Sequence, residues 1–478
     1  MKILSILLFL PLMISANMIE LLPVDQQIVN HTYNEEYEKA ENLSQQQIKL
    51  FPNSPKYYYY SINTRLMEYY KKISELDVEK RDEGRKRLNK ELLKYCEDVI
   101  DKFNVSKLSI EDKFYYGTIN GYLARVYGMD GSWWSAFRSG KKAKNLMEEI
   151  IKTDPQFYDA YLVLGMLNYY SDRMSGITSF IAGVLGFSGD RETGLNQVIL
   201  AYEKGKITFG QSALTLIEIY SNLEDNKYSA IKYFEEFIKQ YPLNKRILNA
   251  YCNVLINIWD IKKAEEIINN DDENLVDDNT KARYYNQIGK SNLAIEYAEI
   301  ALENEKALWR GTANYLRYIV AFNSWLIGDA VRVKKYEQTL SDWYKESFAL
   351  LKNNEKDVKW LNQLSIIAST NLSISVIENY IKDKPKFSNT IYEDQYNQLL
   401  GRFYFKSKSF NKAEQYFNRN INTSDENEMY ISLRYLIDIY LIQNVDKQNV
   451  KNLISAVKKY DNDRLKFRIK DLEKKYGV

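Results

Sequence analysis

The sequence has few residues of the types that bind metals or cross-link chains. It contains one histidine and two cysteines among 478 residues. A metal site built from several histidines is therefore excluded, and His31, near the start of the first predicted helix, is interpreted as a surface or capping residue. Cys96 and Cys252 fall on the apolar faces of predicted helices, so we expect two buried, free thiols.

Proline and glycine are also scarce, at 7 and 19 residues, which favours long helices joined by short turns. Basic and acidic residues nearly balance, with 66 Lys and Arg against 64 Asp and Glu. The chain has no basic surplus to neutralise a phosphate backbone, so nucleic acid is not an expected partner. The acidic stretch at residues 269–279 lacks the spacing of a calcium loop and is interpreted as a solvated connection. We expect neither a metal nor a cofactor.

The amino terminus has the pattern of a secretory signal peptide. Lys2 precedes an apolar run from Ile3 to Ile14, and the small residue Ala16 follows it. The run is shorter than the ~20 residues that a spanning helix needs. We therefore expect residues 1–16 to be removed near Ala16 and the rest of the chain to be exported, to the periplasm or beyond.

Prolines punctuate the helical stretches at regular intervals. Pro52, Pro155 and Pro242 each follow a helical segment that they cannot continue. The first two are 103 residues apart, about three periods of ~34 residues. The next interval is 87 residues, which is two such periods with about 19 residues left over.

Small and aromatic residues recur inside these periods. Ala40, Ala143 and Ala230 each lie twelve residues before a proline, where a second helix would cross closest to the first. The segment "LLGRFYFKSKSFNKAEQYF" places Gly401 and Ala413 at the corresponding small positions. The pattern resembles tetratricopeptide repeats. The resemblance implies an all-α, right-handed superhelical solenoid of antiparallel helix pairs, continuous over residues 17–478.

The surplus residues form an insertion between the two helices of one repeat, at residues 171–189. The segment "SGITSFIAGVLGFSG" is apolar and rich in glycine, and it carries no charge from Met174 to Gly189. Its glycine spacing is not that of a nucleotide loop, and it is too short to cross a bilayer. Two alternatives stay open. The insertion packs on its own solenoid, or it presents an apolar surface, including Phe180 and Phe187, to a partner or a membrane.

The block from residue 131 to 242 carries a more specific resemblance. The segments "GSWWSAFRSGKKAKNLMEEII", "YDAYLVLGMLNYY" and "LGFSGDRETGLNQVILAYEKG" follow one another in the order typical of the tetratricopeptide repeat protein 39 (inclusion-body-clearance) family and its bacterial relatives. The resemblance implies a helical scaffold without established catalytic residues. We therefore expect a non-enzymatic protein.

In tetratricopeptide arrays, the first helix of each pair lines a concave groove. The resemblance places the following residues, together with the insertion, on that surface: Asp159, Leu162, Met166, Tyr169, Tyr170, Phe180, Phe187, Arg402 and Phe405. Their mixture of aromatic and polar groups suits a protein or peptide partner. The alternative is an envelope hydrolase, acting for example on glycans, which would show facing carboxylates in a cleft.

Overall fold

The computed structural model describes residues 19–173, 189–371, 373–460 and 463–478, with the side chains of 463 and 464 excepted. These residues form twenty-four α-helices and contain no strand. Consecutive helices are paired, as the sequence predicts, so the all-α array of antiparallel, tetratricopeptide-like helix pairs is confirmed. The predicted signal peptide, as well as Phe180 and Phe187 of the insertion, lies outside the described residues.

The chain forms two compact units. Unit 1 takes the described residues up to Ile73 and those from Asp82 to Thr215, whereas unit 2 takes Ser74–Arg81 and Leu216–Val478. Nine helices begin in the first part of the chain: α1 (Pro23–Tyr33), α2 (Tyr37–Leu50), α3 (Pro55–Glu75), α4 (Arg81–Ile100), α5 (Ile110–Met129), α6 (Trp133–Thr153), α7 (Ala160–Arg173), α8 (Arg191–Lys204) and α9 (Phe209–Glu218). The prediction of one continuous array over residues 17–478 stays a prediction.

The remaining helices belong to unit 2. They are α10 (Lys227–Gln240), α11 (Lys245–Asn257), α12 (Ile261–Asn269), α13 (Asp278–Gln287), α14 (Ser291–Glu303), α15 (Arg310–Ile327), α16 (Ala330–Glu337), α17 (Asp342–Asn353), α18 (Glu355–Thr370), α19 (Ile374–Tyr380), α20 (Thr390–Lys406), α21 (Phe410–Asn418), α22 (Glu426–Ile442), α23 (Lys447–Tyr460) and α24 (Asp463–Tyr476).

The predicted punctuation of the helices is confirmed. Helices α2, α6 and α10 end at Leu50, Thr153 and Gln240, two residues before Pro52, Pro155 and Pro242. Helix α7 ends at Arg173 and its partner α8 begins at Arg191, so the extra residues separate the two helices of one pair.

Most turns within the pairs share a residue in the left-handed region of backbone conformation. This conformation ends the first helix and reverses the chain within a few residues. The residues are Glu35, Gly131, Asp225, Trp259, Gly289, Gly328 and Lys408, with φ between 46° and 80°. Glycine takes this conformation without steric cost, but a bulky residue such as Trp259 does so only when its surroundings hold it there.

The two helices of a pair approach each other at small residues. Ala40, Ala143 and Ala230 are fully buried, as their predicted position requires. A Cβ atom built on Gly165 would lie 2.7 Å from the carbonyl oxygen of Gly194 in α8. On Gly401 it would lie 2.6 Å from the Phe417 ring, so this glycine faces a residue four positions beyond the expected Ala413. Neither site has room for a side chain.

Both cysteines lie on helix faces that are buried in the protein interior. Cys96 in α4 and Cys252 in α11 are free and fully buried. Burial raises the pKa of each thiol to about 12, which keeps both in the unreactive protonated form at neutral pH.

The close approach predicts that Gly165→Ala and Gly401→Ala each destabilise the protein. Overpacking typically costs ~1–3 kcal/mol, because the helices must separate to admit the methyl group. The measurement is urea unfolding followed by circular dichroism. Gly311→Ala in α15 is the matched control, since nothing lies within 4 Å of its built Cβ. Equal effects at all three positions would contradict the assigned helix contacts.

Candidate binding surfaces

The predicted groove residues of unit 1 lie on α7 and the turn before it, but most of them are buried. Leu162 and Tyr169 belong to the hydrophobic core, and Tyr169 is fully buried. Met166 and Tyr170 are half-buried, and the Thr215 hydroxyl donates weakly to the Met166 sulfur at 4.0 Å. The face of α7 that was predicted to meet a partner therefore packs largely on its own unit.

Asp159 organises the start of the next first helix. Its carboxylate accepts hydrogen bonds from the backbone N–H groups of Lys206, Ile207 and Thr208 at 2.9–3.0 Å, and from the Thr208 hydroxyl at 2.9 Å. The side chain is buried. Four donors occupy this carboxylate, so Asp159 fixes the turn before α9 and is not available to a partner.

Tyrosines fill the space between the first helices of unit 1. The Tyr122 hydroxyl donates to Asn63 at 2.9 Å, and the Asn63 amide donates to the Tyr33 hydroxyl at 3.4 Å. The rings of Tyr59 and Tyr122 stack with centroids 5.9 Å apart. The ring of Tyr33 approaches so near Gly210 that a Cβ there would lie 2.5 Å away. The first helices α1, α3, α5 and α9 thus meet around buried aromatic rings.

The inner face of α20 in unit 2 is occupied in a similar way. Phe405 is buried against the rings of Tyr228 and Tyr435, with centroids 5.6 and 5.0 Å away. Arg402 donates from Nη2 to the carbonyl oxygen of Asn257 at 2.6 Å. Its guanidinium lies 3.8 Å from the centroid of the Trp259 ring. Residues of the chain itself occupy the place that was predicted for a partner.

Trp259 is the anchor of this contact. It is almost completely buried and holds the left-handed conformation, with φ of 64°. The guanidinium of Arg402 covers its ring, and the ammonium group of Lys406 donates to its carbonyl oxygen. A cation over a desolvated indole and a charged donor on its carbonyl together stabilise a conformation that a tryptophan seldom adopts.

A buried ionic network ties the beginning of unit 2 to α22. Tyr430 donates to the Asp225 carboxylate at 2.6 Å, and Arg434 lies 3.8 Å from the same carboxylate. Arg434 also lies 3.8 Å from Asp438, which pairs with Arg468. The nearby cations hold the pKa of Asp225 below its ordinary value although burial opposes this. These contacts draw early and late helices of unit 2 together.

The structure therefore buries Asp159, Leu162, Tyr169 and Phe405 within their units, and their role in a binding groove stays a prediction. Leu162, Tyr169 and Phe405 lie on helices, whereas Asp159 lies in the turn before α7. Each faces a neighbouring helix or turn within the folded unit. A buried side chain cannot form a contact surface without local unfolding. Met166, Tyr170 and Arg402 keep some exposure, and their role in binding stays a prediction.

Large apolar side chains remain exposed at other places. In unit 2, Trp343 in α17 is 63% exposed and Val331 in α16 is 83% exposed. Trp309 is also largely exposed, although the Arg81 guanidinium lies 4.4 Å from its ring centroid. Sequence reasoning missed these residues. The signal was available, because Trp343 stands in the polar segment "SDWYKES" rather than in an apolar stripe.

One carboxyl group has a strongly altered acidity. Burial, together with the nearby Asp425 and Asp394 carboxylates, raises the pKa of Glu428 to about 7 against the opposing effect of Arg402. One oxygen of Glu428 has no hydrogen-bond partner in the described structure. This carboxyl is therefore a source of pH-dependent stability in unit 2.

A cavity of about 560 Å³ lies between the turn before α22 and the end of α23. The described residues that line it are Ile421, Asn422, Thr423, Glu426, Met429, Ala456, Lys459 and Tyr460. Glu426 is the one carboxylate among them. Glycoside hydrolysis uses two carboxyl groups, so this cavity does not favour the hydrolase alternative. Within the described ranges, no group of three or more His, Cys, Asp or Glu side chains is arranged to hold a metal ion.

The burial of Tyr169 generates a prediction that separates packing from binding. Tyr169→Ala should lower the free energy of unfolding by ~3–5 kcal/mol, as truncation of a fully buried aromatic residue does. Tyr170→Ala, at the half-buried neighbouring position, should cost clearly less. Urea denaturation measures both. If Tyr169→Ala lowered the free energy of unfolding only slightly, Tyr169 would again be a candidate for the binding surface.

The raised pKa of Glu428 predicts the pH dependence of stability. Its ordinary value is 4.5, so the folded state holds the proton more tightly and loses stability as the pH rises from about 4.5 to about 7. Glu428→Gln should therefore stabilise the protein by ~1–3 kcal/mol at about pH 8 and by almost nothing at about pH 5. Thermal unfolding at both pH values measures this. Glu426→Gln, at an exposed position, is the control, and an equal response of both variants would contradict the assignment.

Comparisons with known proteins show little likeness at the level of sequence. No family model matches the chain, and no curated protein matches it. The crystal structure of yeast Tom70 is 12% identical over 91% of each chain, with a TM-score of 0.26. A crystal structure of the APC/C hetero-tetramer Cut9–Hcn1 is 11% identical over 94% of this chain and 95% of that one, with a TM-score of 0.20. At such values the likeness carries no argument about function, and the fold assignment depends on the helix pairs described above.

Proposed function

We propose that the protein is a non-enzymatic scaffold that binds a protein partner through side chains that its helix pairs leave exposed. The exposed indole of Trp343 carries this proposal. The chain buries most of its aromatic side chains, yet it leaves this one 63% exposed on α17. Tryptophan is among the residues most often found at the energetic centre of protein interfaces.

The surroundings of Trp343 suit a protein surface. The Tyr344 ring meets it edge to face, with centroids 4.7 Å apart, and so restricts its orientation. Asp342, Lys345 and Glu346 are exposed around it and supply charges of both signs. A rigid aromatic residue within a mixed polar rim is the usual arrangement of a binding hot spot.

The groove predicted from sequence enters this proposal only in a reduced form. Met166, Tyr170 and Arg402 are its accessible members, and Phe180 and Phe187 lie outside the described residues. The resemblance to the tetratricopeptide repeat protein 39 family over residues 131–242 is compatible with a scaffold. It adds no partner. The hydrolase alternative is not favoured, because the described lining of the cavity beside α22 and α23 contains a single carboxylate.

Export is part of the same proposal. Its support is the sequence of residues 2–16, in which Lys2, the apolar run and Ala16 follow the order of a secretory signal. We propose a periplasmic or extracellular location. The mass of the intact protein from an envelope fraction tests this, because a chain that still carries residues 1–16 in the cytoplasm would contradict export.

The partner site generates a prediction. The partner is first identified by crosslinking the tagged full chain in its native cells, and its affinity is then measured with purified protein. Trp343→Ala should weaken binding at least about tenfold, or ~1.4 kcal/mol, because the indole is lost from the interface. Stability should hardly change, since this side chain is exposed.

Lys345→Ala is the matched control, since Lys345 is exposed two residues away on the same helix. It should change the affinity by less than about twofold, because rim charges contribute little. A partner that binds Trp343→Ala and the wild type equally would refute this site. Loss of binding in Tyr170→Ala would then favour the predicted groove.

A further inference from the structure

The turn between α5 and α6 in unit 1 ends in a cluster of exposed apolar side chains. Trp133 is 38% exposed, Trp134 is 56% exposed, and Met129 is 38% exposed. The turn is compact, because Gly131 takes φ of 78° and the N–H of Ser132 donates to the carbonyl oxygen of Tyr127 at 2.9 Å. Helix α6 begins at Trp133, so the three side chains lie at the end of the helical hairpin.

Cations follow the tryptophans along the exposed face of α6. Arg138 is four residues after Trp134 and Lys141 is seven residues after it, so all three share one face of the helix. Both cations are exposed. With a rise of 1.5 Å per residue, they lie roughly 6 and 10 Å from Trp134 along the helix axis.

Acidic residues are absent from the first half of α6. No Asp or Glu occurs between Gly131 and Met147. The acidic residues farther along α6 are already paired, Glu148 with Lys144 at 3.7 Å and Glu149 with Lys113 at 2.7 Å. The nearest acid along the chain is Asp130 in the turn itself, whose carboxylate accepts from the Ser132 hydroxyl at 3.4 Å. The Glu97 carboxylate of α4 accepts a hydrogen bond from the hydroxyl of Tyr127. The exposed half of the helix is therefore cationic.

This layered order matches the depth profile of an anionic bilayer surface. Tryptophan concentrates at the boundary between headgroups and acyl chains, which extends over roughly 5–10 Å. Lys and Arg at the next level attract anionic headgroups. Protein interfaces are enriched in tryptophan, methionine and arginine as well but are depleted of lysine, so the exposed Lys141 is the residue that favours a lipid surface. The surroundings of Trp343 are different. Asp342 and Glu346 stand beside it, and their negative charges would repel an anionic lipid surface.

We propose that the α5–α6 end of unit 1 docks on anionic lipid surfaces. Trp133, Trp134 and Met129 enter the interface, and Arg138 and Lys141 contact the lipid phosphates. Two weak contributions, apolar insertion and charge attraction, act together and make the attachment reversible. This is a peripheral attachment. Throughout the described ranges, no helix combines the length and the apolar character that crossing a bilayer requires.

The test uses the full chain and vesicles of phosphatidylcholine and phosphatidylglycerol in a ratio of about 7:3, with bound protein measured by sedimentation. The wild type should bind these vesicles and be released as NaCl rises from about 0.05 to about 0.5 M. The double variant Trp133→Ala/Trp134→Ala should bind at least about tenfold more weakly. The double variant Arg138→Glu/Lys141→Glu should lose at least as much.

The matched controls lie on unit 2. Trp343→Ala removes an exposed indole and Lys345→Glu reverses an exposed charge, and both should bind vesicles as the wild type does. All variants should keep the melting temperature of the wild type, since the changed side chains are exposed. The two double variants alter different chemistry, so a folding defect in one leaves the other as a valid test.

Three results would overturn the proposal. In the first, the wild type does not bind anionic vesicles. In the second, both double variants bind the vesicles like the wild type, and this would assign lipid binding to another segment of the chain. In the third, Trp133→Ala/Trp134→Ala retains vesicle binding but loses affinity for a purified partner protein. That result would identify the α5–α6 end as a protein interface instead.

Discussion

The close approach of the two helices in each pair is the constraint on which the rest of the structure depends. At Gly165 and Gly401 a single added carbon would lie 2.6–2.7 Å from the facing helix, and at Ala40, Ala143 and Ala230 the methyl group is fully buried. Because the helices are in contact at these points, the first helix of each pair has a fixed orientation. That orientation decides which of its side chains face the interior of the unit.

The interior of each unit is then filled by the chain itself. In unit 1, Tyr33, Tyr59 and Tyr122 meet between first helices, and Asn63 connects two of their hydroxyls. In unit 2, Arg402 and Lys406 hold Trp259 in its left-handed conformation. Aromatic rings with hydroxyl groups suit this space, because they bury a large area and still satisfy their polar atoms. The abundance of tyrosine in the composition thus has a structural cause.

Because the interior of each unit is filled, side chains that can bind a partner must lie on the outer surface. The exposed aromatic side chains fall into two chemical settings. Trp343 is surrounded by charges of both signs, whereas Trp133 and Trp134 are followed by the exposed cations Arg138 and Lys141 in the first half of α6. The first setting suits a protein partner and the second an anionic surface. The two proposed surfaces therefore lie on different units and depend on different side chains.

The sequence by itself determined the helix pairs, because proline, glycine and alanine act locally: Pro52, Pro155 and Pro242 end helices, and the small residues set where helices cross. It also predicted an insertion at residues 171–189, of which Ser171, Asp172 and Arg173 belong to α7 in the structure. It could not determine whether Tyr169 or Phe405 faces a groove or a core, since both surfaces use the same aromatic residues at the same helical positions. Only the tertiary structure decided this, because the partners of these side chains come from distant segments: Arg402 meets Asn257 and Trp259, 145 and 143 residues earlier in the chain. Such contacts depend on the rotation between successive helix pairs. That rotation results from many small packing contributions, which a local sequence pattern does not contain.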